Sequence, residues 1–126
     1  MTKLPKPDSP ATEGQTQRLI LDWLAAKGYF ALRMNTGAMV SEYKGKKRFM
    51  RFGVPGCADI LVFDDQWIDQ GLGHGHIKHG PCIWIEVKAP KGKQTDLQKS
   101  FQAQVESRAH RYIVAYSLED VENALK

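Results

Sequence analysis

From Cys82 to Lys88 the chain alternates strictly, with Ile83, Ile85 and Val87 on one side and Trp84, Glu86 and Lys88 on the other. A period of two is that of a β-strand, whose successive side chains point to opposite faces of a sheet. Two charges therefore share one face of this strand, and the rest of the chain must supply its sheet partners.

Three further segments read as strands. Tyr29 to Met34 is short, aromatic and aliphatic, and stops at the turn-prone Asn35-Thr36-Gly37. Ala58 to Phe63 is apolar and follows the strong turn signal Gly53-Val54-Pro55-Gly56, which puts Asp59 at a strand's entrance. Tyr112 to Tyr116 is the last. Between the first two, Met39 to Tyr43 and Arg48 to Phe52 can form the arms of a hairpin around Lys44-Gly45-Lys46-Lys47. Asp64 to Gly80 is Gly-rich and without periodicity, and reads as a loop or a decorated hairpin connection.

Helical spacing appears in three places. Leu19, Ile20, Trp23 and Leu24 predict a helix over Thr12 to Lys27, with Thr12 as N-cap and Gly28 as the stop. Thr95-Asp96-Leu97-Gln98 has the Thr-x-x-Gln form of a capping box before a helix to about Arg108, with Leu97, Phe101 and Val105 as its buried stripe. Ser117 caps a short closing helix, Leu118 to Leu125. The order helix, three or four strands, helix, strand, helix is that of an α/β sandwich around a mixed sheet.

A chain of 126 residues has room for one core. Pro5, Pro7 and Pro10 forbid a continuous helix before Ala11, so residues 1–10 read as a flexible leader and 11–126 as a single domain. No apolar run reaches the roughly 18 residues of a membrane span, and no signal-peptide centre is evident, so a cytoplasmic protein is expected, in the host cytoplasm if virus-encoded. Cys57 and Cys82 are too sparse for a disulfide scaffold. Eighteen Lys and Arg against fourteen Asp and Glu leave a net +4, compatible with a polyanionic partner. The densest cationic run holds Lys44, Lys46, Lys47, Arg48 and Arg51, which suits phosphates but equally suits a solvated turn.

If the strands that carry Asp59 and Glu86 are neighbours, Asp59, Glu86 and Lys88 converge at one end of the sheet. Phosphodiester hydrolysis needs a hard divalent cation, and Mg²⁺ or Mn²⁺ anchored by Asp59, Glu86 and the carbonyl of Val87 would leave Lys88 to orient water and offset developing charge. The plain alternative is a Glu86–Lys88 ion pair on one strand face, with Asp59 capping a turn.

Several segments in this order resemble the VRR-NUC family of virus-type replication-repair nucleases, within the PD-(D/E)XK superfamily. They are Thr12-Glu13 with Gln17 a turn later, Arg33-Met34-Asn35-Thr36-Gly37, Gly53 to Ile60, Ile85-Glu86-Val87-Lys88, Gly92-Lys93 with Gln98, and Tyr112 to Ser117. The resemblance implies a restriction-endonuclease-like fold with Asp59, Glu86 and Lys88 as the catalytic core. It also implies a further carboxylate from Glu13 and a site role for Gln98. The family's Pro-Asp pair is Ala58-Asp59 here, which alters backbone stiffness and removes no ligand. Read from the residues alone, Glu13 and Gln98 are capping groups.

The resemblance further implies an endonuclease acting on branched DNA, a four-way junction or flap, and cutting two strands symmetrically calls for a homodimer. Arg33, Asn35, Lys91, Lys93 and Lys99 would then rim the site and hold the nucleic-acid backbone. The rival readings are a non-catalytic basic nucleic-acid-binding module, and an interaction protein whose basic face meets an acidic protein. His74, His76, His79 and Cys82 have a zinc-like spacing, yet a polar loop without a metal is expected there. Trp23, Trp84 and Phe101 lie in apolar patterns and are expected in the core.

Overall fold

A computed structural model describes residues 11–34, 38–43, 46–51, 54–64, 66–69 and 76–126; for the strands within 38–51 and 66–79 it describes backbone pairing alone. The leader, residues 1–10, lies outside the described residues, as do Asn35, Lys44 and His74.

Helix α1 spans Glu13–Ala26 and begins as its sequence predicts: the Thr12 hydroxyl accepts from the Gln15 backbone, and the Gln15 side chain returns a bond to the Thr12 N–H. Gly28, at φ +86°, lets the chain leave the helix and enter β1 (Phe30–Arg33). Strand β4 (Ile60–Phe63) and β7 (Cys82–Val87) follow, then α2 (Asp96–Ser107), β8 (Arg111–Ala115) and α3 (Leu118–Ala124). Two antiparallel ribbons are inserted, β2 (Ala38–Tyr43) with β3 (Lys46–Arg51), and β5 (Gln66–Asp69) with β6 (His76–His79).

Four strands form the central sheet in the order β1-β4-β7-β8, antiparallel except for the parallel pair β7-β8. The chain is thus an α/β protein with a mixed sheet. The alternation in β7 decides its layering. Ile83, Ile85 and Val87 join Ile60 and Val62 under Ile20 and Leu24 of α1 and Val121 of α3. Each such aliphatic side chain contributes about 1.5–3 kcal/mol when fully buried. The other face carries Trp84, which meets Phe101 of α2 edge-on at 5.0 Å between ring centroids.

Several expectations change in detail. Of the two forms expected of Asp64 to Gly80, the decorated hairpin connection holds: the segment contains the antiparallel β5-β6 pair, with Asp69 opposite His76 and Gln66 opposite His79, so His76 and His79 are strand positions. The expected hairpin is present as the β2-β3 pair, but its second arm starts at Lys46 rather than Arg48, so Lys46 and Lys47 are strand positions opposite Tyr43 and Glu42. Leu97, in the first turn of α2, is 59% exposed, and the inward stripe is left to the half-buried Phe101 and the buried Val105. Leu19 likewise faces outward, while the polar Thr16 and Gln17 are buried. Cys57 and Cys82 are free thiols.

Among the described residues no helix is long and apolar enough to cross a membrane. The start of β7 is held by His110, whose Nδ1 accepts from the Cys82 backbone N–H at 3.0 Å. His110→Ala removes that acceptor from a half-buried donor and is expected to lower stability by about 1–2 kcal/mol, read as a shift in the denaturant midpoint at constant slope.

Candidate functional site

Strand register brings the three central residues together. Ile60 lies opposite Ile85 in the antiparallel β4-β7 pair, so one step further Asp59 stands across from Glu86, and directly opposed residues share a sheet face. Asp59 sits just before the ladder begins. Its Oδ2 accepts a hydrogen bond from the Val87 backbone N–H at 2.7 Å, which fastens the carboxylate to the end of β7. Its carbonyl accepts from the Met34 N–H, also at 2.7 Å, which ties in the end of β1.

Glu86 is the unusual residue of the sheet. It is only 1% exposed, on the face of β7 that also carries Trp84. The Tyr112 hydroxyl donates to its Oε1 at 2.7 Å. Its Oε2 is buried and accepts no hydrogen bond from any described residue. The Glu86–Lys88 ion pair considered from sequence is therefore not the partnership that Glu86 makes; a tyrosine from the neighbouring strand takes that place. Leaving a buried acceptor without a donor costs about 1–3 kcal/mol, which sets Oε2 apart from the satisfied Oε1.

Tyr112 is held protonated. Burial pushes the phenol well above its ordinary range, the Glu86 carboxylate that it bonds pushes it further, and the charge of Asp59 adds to both, against a hydrogen bond from Gln94 that acts the other way. The neighbouring Cys57 thiol is raised as well, by burial and then by Asp59, and its Sγ donates to the Ala58 carbonyl. It is a proton-bearing, unreactive thiol.

Lys88 follows the strand, with its N–H on the Ala115 carbonyl at 2.9 Å and its stem passing Gly92, where an added Cβ would lie 3.4 Å from Lys88 Cδ. The turn that contains Gly92 is fastened to the end of β8, since the Tyr116 hydroxyl donates to the Gly92 carbonyl. Lys91 and Lys93 flank that glycine, and both are exposed, as is Lys99 on α2.

The two helical candidates differ. Gln98 completes the α2 capping box, with Oε1 accepting from the Thr95 N–H at 2.8 Å, so any role at the site falls to its amide nitrogen. Glu13 opens α1 and is exposed. Among the described residues no group of three or more His, Cys, Asp or Glu side chains is gathered closely enough to hold a metal, so Glu13 does not complete a trio with Asp59 and Glu86. One turn on from Glu13, Gln17 is buried with its Nε2 lacking any described partner. It lines an open cleft of about 490 Å³ with Gly14, Arg18, Leu21, Asp22 and Arg33, which sets the first turns of α1 beside the end of β1. Lys46, Lys47, Arg48 and Arg51 are placed by backbone register alone, in β3.

Sequence reasoning missed Tyr112 as a partner of Glu86, and with it Gln94 and Gln102. The signal lay in the register of the parallel β7-β8 pair, which sets Tyr112 beside Trp84. No family model, curated protein or solved structure matches the chain.

Proposed function

We propose that the chain is a Mg²⁺- or Mn²⁺-dependent endodeoxyribonuclease with a restriction-endonuclease-like fold of the VRR-NUC kind. The observation that carries this reading is one pair of carboxylates: Asp59 bonded to the backbone next to Glu86, and Glu86 burying an oxygen that no described donor satisfies. Adjacent carboxylates repel, and an oxygen-liganded divalent cation is the group that would reconcile them.

Asp59, Glu86 and the Val87 carbonyl would hold the ion, with water completing its shell, as suits a cation that keeps several waters. When bound it would supply Lewis-acid stabilisation of the phosphoryl oxygens. Lys88 would orient the attacking water and offset charge as the bond from water oxygen to phosphorus forms and the bond to the leaving sugar oxygen breaks. Lys91, Lys93 and Lys99 would hold the nucleic-acid backbone beside the site, with Arg33 at the α1 cleft. The preferred substrate is branched DNA, a four-way junction or flap, cut by a two-fold homodimer.

The test is a gel assay of four-way-junction, flap and linear DNAs with Mg²⁺, with Mn²⁺ and with EDTA. Cleavage of a branched substrate in either metal, and none in EDTA, is expected. Binding that is indifferent to metal, with every substrate left intact, would instead identify a non-catalytic basic module.

A further inference from the structure

One oxygen of Glu86 is held by a side-chain donor, the Tyr112 hydroxyl. Gln102 of α2 accepts from the Gln94 Nε2 at 2.8 Å, which fixes the orientation of the Gln94 amide. Against the larger upward push of burial and of Glu86, Gln94 is the one neighbour that lowers the pKa of the Tyr112 phenol. The single proton of the Tyr112 phenol is donated to Glu86 Oε1, where the bond measures 2.7 Å. The ring packs edge-on against Phe101, 6.3 Å away between centroids.

The two oxygens of Glu86 are thus unlike. Oε1 is occupied by a strong donor, and Oε2 is buried with no donor among the described residues. We infer that Tyr112 is a positioning residue that makes Glu86 a one-oxygen ligand through Oε2 and thereby selects small, octahedral divalent cations over Ca²⁺. The physical reason lies in coordination: Mg²⁺ demands near-ideal octahedral geometry and is served by single carboxylate oxygens, whereas Ca²⁺ takes six to eight ligands and readily accepts both oxygens of one carboxylate. A hydroxyl donating to Oε1 takes up one of its lone pairs and weakens it as a second ligand for Ca²⁺. It also holds the ligand's orientation in the manner of outer hydrogen-bond partners at metal sites, whose loss typically weakens metal affinity ~10- to 100-fold. The inference rests on the metal-site reading of Asp59 and Glu86 given above.

Isothermal titration of the full chain with Mn²⁺ and, separately, with Ca²⁺ tests it without recourse to catalysis. Tyr112→Phe keeps the ring and its packing and removes only the donor. Its Mn²⁺ dissociation constant is expected to rise about tenfold, while that for Ca²⁺ stays level or falls, so that the preference for Mn²⁺ over Ca²⁺ shrinks by about tenfold or more. Gln94→Ala, which leaves the phenol in place but removes that neighbour, is expected to shift the same ratio in the same direction by less. It serves as the informative variant if Tyr112→Phe does not fold. Equal weakening of both ions, or an unchanged ratio in both variants, overturns the assignment while leaving the metal site intact. Absence of Mn²⁺ binding by the wild-type chain overturns the metal-site reading itself.

Discussion

Asp59→Asn is expected to lower metal-dependent DNA cleavage about a thousandfold, equivalent to ~4 kcal/mol of transition-state stabilisation, while the folded protein still binds DNA. The choice of asparagine follows from the bond that Asp59 makes. Its Oδ2 accepts from the Val87 N–H at 2.7 Å, and an amide oxygen can accept the same bond, so the end of β7 stays fastened. Asp59→Ala removes the acceptor as well as the charge, and adds a structural loss of about 1–3 kcal/mol that would blur the result. A second signature is thermal. Wild-type protein should gain melting temperature as Mn²⁺ is added, because a ligand that binds only the folded state stabilises it by mass action. Asp59→Asn should gain little. In EDTA it should melt at or above the wild-type temperature, since one of two neighbouring carboxylates has lost its charge. An Asn variant that cuts at the wild-type rate would end the proposed role of Asp59.

The parts of the fold that could be read in advance are those fixed by local chemistry. Thr12 and Thr95 announce their helices because a hydroxyl three residues before a Gln can satisfy the bare N–H groups of a first turn, whatever the helix later packs against. The alternation in β7 announces two faces. It does not say that the face with Trp84 and Glu86 will be covered by α2, and so it left open whether Glu86 is a solvated partner of Lys88 or a buried carboxylate. That distinction is a tertiary one. The convergence of Asp59 with Glu86 was conditional on β4 and β7 being neighbours, which the register of Ile60 with Ile85 satisfies. Tyr112 was legible as a strand residue and invisible as a hydrogen-bond donor, because its bond to Glu86 spans 26 positions of chain. Leu97 shows the converse error: an apolar residue at the right helical interval stays exposed, its turn touched by the Gly56 loop and not covered by the core.

The loop that delivers Asp59 is held by the closest backbone approach described near the site, and Gly56→Ala should disrupt it. Gly56 adopts φ +81°, a left-handed conformation that costs a residue with a Cβ about 1 kcal/mol. The larger effect is steric. A Cβ at this position would lie 2.5 Å from the carbonyl oxygen of Leu97 and 2.6 Å from its carbonyl carbon, and both belong to the backbone of the first turn of α2, which no rotamer change can relieve. Either the 54–59 loop or the start of α2 must move. The combined loss is expected to be about 2–4 kcal/mol, seen as a fall of about 10 °C in melting temperature for a domain of this size. Gly28→Ala isolates the conformational part, because Gly28 has nearly the same dihedral, φ +86°, and nothing within 4 Å of the added methyl. It should cost about 1 kcal/mol and leave metal affinity unchanged. Gly56→Ala should also weaken Mn²⁺ binding, since Asp59 lies three residues beyond the strained position and its carboxylate must stay on the Val87 N–H to face Glu86. Equal losses for the two glycines would mean that the loop yields freely, and that the contact with α2 does not help to set the position of Asp59.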